Sequence, residues 1–114
     1  MNHSVKDHFK NKAPEVQAIY AAILKTAKQF GAVKEEAKKT SIHLVRKSAF
    51  AGVATRRNAL ILTLKSKTDL LSPRIHKHEQ ASPGRWHLEV KIDSPLSVDA
   101  EIKDWLKSSY EISG

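Results

Sequence analysis

The residues of this chain with the greatest capacity for chemistry lie between positions 69 and 91. His76 and His78 flank Lys77, and His87 follows. Two histidines at i and i+2 of an extended segment share a face, and Glu79 or Glu89 could complete a three-ligand metal set. The spacing matches no zinc signature, and a lysine between the histidines adds repulsion toward a cation. The expectation is a solvated basic loop, with no metal and no cofactor. General acid–base work needs a carboxylate or histidine whose pKa is tuned in a pocket. Asp69, Glu79 and Glu89 are the central carboxylates, and no motif places two of them together. Glu89-Val90-Lys91 after Asp69 has the form of a D…ExK nuclease pattern. Its separation is that of a long loop, and magnesium nucleases cluster several carboxylates around the metal. There is no G-x-S-x-G, no glycine loop to cradle phosphate and no H-E-x-x-H. No catalytic residue is assigned, and the chain reads as a binding module rather than an enzyme.

Charge carries more information. The 114 residues have a net charge of +8 and 6% aromatic content. Residues 1–37 balance at +2, residues 38–91 at +9 and residues 92–114 at −3. A concentration of cations in mid-chain suggests a surface that faces a polyanion. Arg46, Lys47, Arg56, Arg57, Lys65 and Lys67 flank strand ends, and Arg74, Lys77, Arg85 and His87 populate a long loop and its exit. Such groups can meet successive phosphates and release counterions. Trp86 beside Arg85 offers a stacking surface for an unpaired base. No helix rich in Arg and Asn is present, so the expected contact is with a DNA or RNA backbone rather than with base edges.

These side chains must be held by a small number of elements. Over residues 14–30, Val16, Ile19, Tyr20, Ile23, Leu24, Ala27 and Phe30 recur at three- and four-residue steps, which predicts an amphipathic helix. Pro14 suits its first turn and Gly31 its left-handed end. Residues 33–37 alternate as a strand does, with a helical reading of 34–39 nearly as good. Residues 41–46 place Ile42 and Leu44 on one face and His43 and Val45 on the other. Residues 50–54 and 59–65 read as strands joined by Arg56-Arg57-Asn58, a hairpin pattern. Residues 66–84 read as a long loop, uncommon in a compact domain unless it binds something or moves. Residues 86–93 return to strand. A last helix over 98–110 takes Ser97 as N-cap, with Asp99 and Glu101 at its positive end.

The order predicts an α+β fold: a small antiparallel sheet of three to five strands packed against an N-terminal and a C-terminal helix. Residues 1–13 are read as a flexible polar lead-in and residues 14–114 as a single domain. The absence of cysteine removes disulfides, thiolate catalysis and Cys-ligated metals. No apolar run reaches the roughly 18 residues of a membrane span, and no signal-peptide stretch is present, so a cytoplasmic setting is expected.

The segment KKTSIHLVRKSAFAGVATRRNALILTLKSK, residues 38–67, resembles the core of a bacterial family, the domain of unknown function 5655. GRWHLEVKIDSPLSVDAEIKDWLKSSYEIS, residues 84–113, is similar to the remainder: a strand, a turn and a closing helix ending near a tyrosine. Lys47, Phe50, Arg56, Leu60, Leu62, His87 and Tyr110 occupy the matching places, and the likeness spans residues 14–113. Domains of this family occur alone or appended to larger proteins, including nucleases of the GmrSD restriction type. The resemblance thus implies a nucleic-acid-related accessory role and brings no catalytic residues. Two alternatives stand beside it. One is a small-molecule or anion pocket in which Arg85 and His87 orient a carboxylate or phosphate beneath the long loop. The other is a homodimer formed through the exposed sheet face of Val45, Ile61 and Thr63.

Overall fold

Apolar residues at helical and strand spacing define both α-helices and most of the six strands among the described residues. A computed structural model describes residues 4–114. The elements are α1 (Pro14–Lys28), β1 (Lys34–Ala37), β2 (Ile42–Val45), β3 (Ala49–Thr55), β4 (Leu60–Ser66), β5 (Ile75–Ser82), β6 (Arg85–Ile92) and α2 (Ala100–Ile112). The strands form one sheet in the order β1-β2-β3-β4-β6-β5, and every neighbouring pair is antiparallel. The class is α+β, with an N-terminal and a C-terminal helix packed on an antiparallel sheet, as the residue pattern predicts.

Alternation decides which face is buried. Leu60, Leu62 and Leu64 of β4 lie opposite Ile92, Val90 and Leu88 of β6, and all six are buried with Ile42, Leu44 and Val53. Val16, Ile19, Tyr20, Ile23 and Ala27 of α1 and Ile102, Leu106 and Tyr110 of α2 complete the same core. A bulge sharpens the packing. Leu44 opposes Ala51 and Val45 opposes Ala49, so Phe50 is the extra residue. Consecutive Phe50 and Ala51 therefore both enter the core. Phe50 meets Tyr110 edge-on at 5.1 Å, and the Tyr110 hydroxyl donates to the Ala32 carbonyl at 3.0 Å. Gly31 has φ +147°, and a Cβ there would stand 2.5 Å from the Tyr110 hydroxyl. Backbone conformation and close approach both require glycine at this position.

The structure differs from the sequence expectation in four places. The sheet has six strands rather than three to five, because residues 75–82 of the expected loop form β5. Only Ile75 of that strand is buried; an edge strand with charged residues on both faces has no apolar alternation to read. Helix α2 begins at Ala100 with Asp99 as N-cap, its carboxylate accepting from the Ile102 amide at 3.2 Å. Residues 95–97 form a separate 3-10 turn capped by Ser94. Within the segment read as a flexible lead-in, Val5, Phe9 and Ala13 pack on the core, the His8 carbonyl accepts from Thr55 Oγ1 at 2.7 Å, and the Ala13 amide donates to Arg57. Residues 1–3 of that segment lie outside the described residues. Among the described residues, no helix is long and apolar enough to cross a membrane.

Candidate functional site

Both helices pack on one side of the sheet, so the outward-pointing residues of the strands form an open face. Register places Glu36, His43, Gly52, Thr63, Glu89 and Lys77 in one row across five strand pairings, and Lys65, His87 and Glu79 in the next. Small residues make this face concave at its middle. Ala49, Gly52 and Ala54 floor a groove of about 280 Å³. His43, Thr63, Lys65 and His87 line it.

The hairpin topology then divides the basic residues by position. The β2–β3 turn with Arg46 and Lys47, the end of β4 with Lys65 and Lys67, and the start of β6 with Arg85 all lie at one end of the sheet. The β3–β4 turn with Arg56 and Arg57 lies at the other. The expected continuous cationic surface is therefore split into a cluster and a distant pair. Several members are also occupied. The Arg74 guanidinium binds Asp99 at 3.0 Å and Glu101 at 3.0 Å and donates to the Ser97 carbonyl at 2.8 Å. Lys77 pairs with Glu89 at 3.6 Å. Arg46 lies 4.4 Å over the Tyr110 ring and donates to the Tyr110 carbonyl at 3.1 Å, satisfying an acceptor near the end of α2. Trp86 faces the helical side, packed against the core between Ser66 and Gln80, and is turned away from the groove. The stacking role expected of it has no place on the open face.

What remains together is Lys65 and His87 on the groove wall, with exposed Arg85 two residues from His87 on the same face of β6 and exposed Lys47 in the adjoining turn. Lys65 Nζ donates to Ser48 Oγ at 3.3 Å. Burial, and after it the repulsion of the Arg85 guanidinium, hold the Lys65 ammonium below the ordinary lysine pKa. Its like-charged neighbour has no compensating carboxylate in an ion pair with either cation among the described residues. His87 Nδ1 is 3.8 Å from Glu79 Oε1, the nearest acid on this row. An anion seated in the groove would relieve the repulsion and meet two or three donors.

The backbone beneath Lys65 is fixed from the opposite side. The β3–β4 pairing ends at Ala51 and Leu64. Where the next ladder bond would fall, the buried Ser109 hydroxyl of α2 accepts from the Lys65 amide at 3.0 Å and donates to the Phe50 carbonyl at 2.5 Å. Helix α2 thus positions a site on the face it does not touch. His43, Ser48 and Thr63 are site residues absent from the sequence reading of the cationic surface. The alternation of His43 with Ile42 and Leu44 was the signal that placed it outward. On the β5–β6 hairpin, His76 approaches Glu89 at 3.6 Å and His78 Nδ1 bonds Asp69 at 2.5 Å. The described residues hold no cluster of three or more His, Cys, Asp or Glu arranged for a metal ion. For the dimer reading, Ile61 is 9% exposed, and Val45 and Thr63 are half-buried.

The family model described as Domain of unknown function (DUF5655) matches residues 5–113. No curated protein matches the chain, and no solved structure does.

Proposed function

The chain belongs to the DUF5655 family, whose description assigns no activity, and from that starting point we propose that it is a non-catalytic binding module taking a compact anion on its open sheet face. The ligand is a phosphate- or carboxylate-bearing group seated over Gly52, between Lys65, Arg85 and His87. The observation that carries this reading is the pairing of half-buried Lys65 and His87 side by side on the groove wall, with exposed Arg85 two residues from His87 on the same face of β6. A half-buried lysine beside an arginine of the same face gains more from a shared anion than cations spread over a surface.

A nucleic-acid backbone is one source of such an anion, and the arrangement limits how much of it is gripped. Arg56 and Arg57 sit at the far end, Arg74 and Lys77 are paired with acids, and Trp86 faces inward. Lys65 and Arg85 engaged together with Lys47 of the adjoining turn predict a salt slope for a single strand near −2, whereas all nine expected cations would give about −6. Titration of the 15N-labelled protein with inorganic phosphate, pyrophosphate and a single-stranded oligonucleotide across a salt series tests this. Shifts at His43, Ser48, Lys65 and His87 with pyrophosphate are expected. Shifts at Arg56 and Arg57, a slope near −6, or no response to any of the three at low salt would overturn it.

A further inference from the structure

The β4–β5 connection is tethered along its length. The Ser66 hydroxyl accepts from the Thr68 amide at 3.2 Å and donates to the Thr68 carbonyl at 2.6 Å. Asp69 holds His78 of β5, and Arg74 is clamped to the start of α2 by Asp99, Glu101 and Ser97. Lys67, Thr68 and Leu70 of this connection form a wall across from α2. Between wall and helix lies a cleft of about 480 Å³, on the side of the sheet opposite the anion groove. Beneath it lie the core residues Leu64, Ile75, Leu88 and Val90, each 5% exposed or less. Leu70 and Trp105 make its sides. Small-molecule sites usually occupy roughly 300–1,000 Å³, with an apolar lining and a few convergent polar groups.

The lip sets the charge of the occupant. Asp104 and Glu111 stand two turns apart on α2 with Ser108 between them, and Lys67 of the loop lines the same cleft. Among the described residues, neither carboxylate forms an ion pair or a side-chain hydrogen bond, although other acids of this basic chain do. The Lys65 ammonium is directed to Ser48. We propose that this cleft binds a small aromatic or aliphatic molecule carrying a cationic group. Its body lies against Leu70 and Trp105, and its cation meets Asp104 and Glu111. The loop tethers preform the wall, so little ordering is needed on binding.

Three probes share one ring system and differ in charge: tryptamine (cationic), indole (neutral) and indole-3-acetate (anionic). Each is titrated into the 15N-labelled full chain to about 10 mM, an order of magnitude above a millimolar Kd. Shifts are expected at Leu70, Leu88 and the Trp105 indole N–H. Tryptamine should bind about threefold tighter than indole and indole-3-acetate weaker than indole, the size expected of exposed ion pairs. The D104N/E111Q double variant should bring tryptamine to the affinity of indole while leaving indole unchanged. No shifts with any probe, shifts confined to other residues, or indole-3-acetate binding as tightly as tryptamine would overturn the proposal. Lys65 borders both sites, so the two readings are told apart at His43 and Thr63, which line the groove and not the cleft.

Discussion

Replacing Ser109 by alanine should destabilise the protein far more than the loss of one small polar side chain suggests. Ser109 is 0% exposed. Its hydroxyl replaces a ladder bond between β3 and β4, bonding both the Phe50 carbonyl and the Lys65 amide. Alanine leaves both backbone groups without a partner. A buried group left unsatisfied costs about 1–3 kcal/mol. Because Lys65 is only half-buried, water reaches its amide more readily, and the sum is about 2–4 kcal/mol. With a urea m-value of about 1.5–2 kcal/mol/M for a domain of this size, the midpoint should fall by roughly 1–2.7 M with m unchanged. Equilibrium urea unfolding followed by tryptophan fluorescence and far-UV circular dichroism reads both quantities. A loss of less than about 0.5 kcal/mol would refute the reasoning, since it would mean that β3 and β4 close up and pair Phe50 with Lys65 directly.

Four further outcomes follow from the same geometry. Gly31→Ala should cost about 2–3 kcal/mol, from the positive φ and the clash with the Tyr110 hydroxyl; adding Tyr110→Phe should recover part of that loss in a double-mutant cycle. Asp99 is held below the ordinary aspartate pKa by the Arg74 guanidinium and then by the Ile102 amide. Its contribution is therefore present above the unfolded value near ~3.9 and is lost as pH falls through the lower folded value, so acid unfolding of Arg74→Ala should begin at higher pH than in the parent. Burial, then the hydrogen bond to Glu35, raises the Tyr20 phenol pKa. Its protonated form is favoured in the fold and that stability is lost as pH rises through the folded value, so Tyr20→Phe should remove the late alkaline step in the tyrosinate absorbance. Trp86→Phe should leave pyrophosphate affinity within about twofold, because the ring lies on the other side of the sheet; a tenfold loss, about 1.4 kcal/mol, would restore the stacking role.

The fold was legible where burial is one-sided. Val16, Ile19, Tyr20 and Ile23 write the period of a helix, and Leu60, Leu62 and Leu64 that of a half-buried strand, because one face of each meets the core. Strand β5 was hidden because an edge strand buries one residue, and His76, Lys77, His78 and Glu79 carry no period. The start of α2 was displaced because Ser94, Ser97 and Asp99 are all competent caps, and the choice among them depends on Arg74, which lies 25 residues away from Asp99. The candidate site was legible in composition and not in geometry. Net charge located Lys65 and Arg85 but equally Arg56, Arg57, Arg74 and Lys77. Only the antiparallel register separates those brought to one end from those sent to the other or paired with acids. Trp86 shows the limit at a single residue: its neighbour Arg85 faces outward, so in a strand Trp86 must face inward.

The most direct test compares two arginines that sequence alone treats as equivalents. Pyrophosphate dissociation constants are measured by calorimetry for the parent, Arg85→Ala and Arg57→Ala, at one low salt concentration. Loss of a charge-assisted hydrogen bond of about 1.5–3 kcal/mol should weaken binding by Arg85→Ala roughly ten- to a hundredfold, while Arg57→Ala stays within about twofold. Equal losses in the two variants, or unchanged affinity in Arg85→Ala, would contradict a compact anion site on the open face.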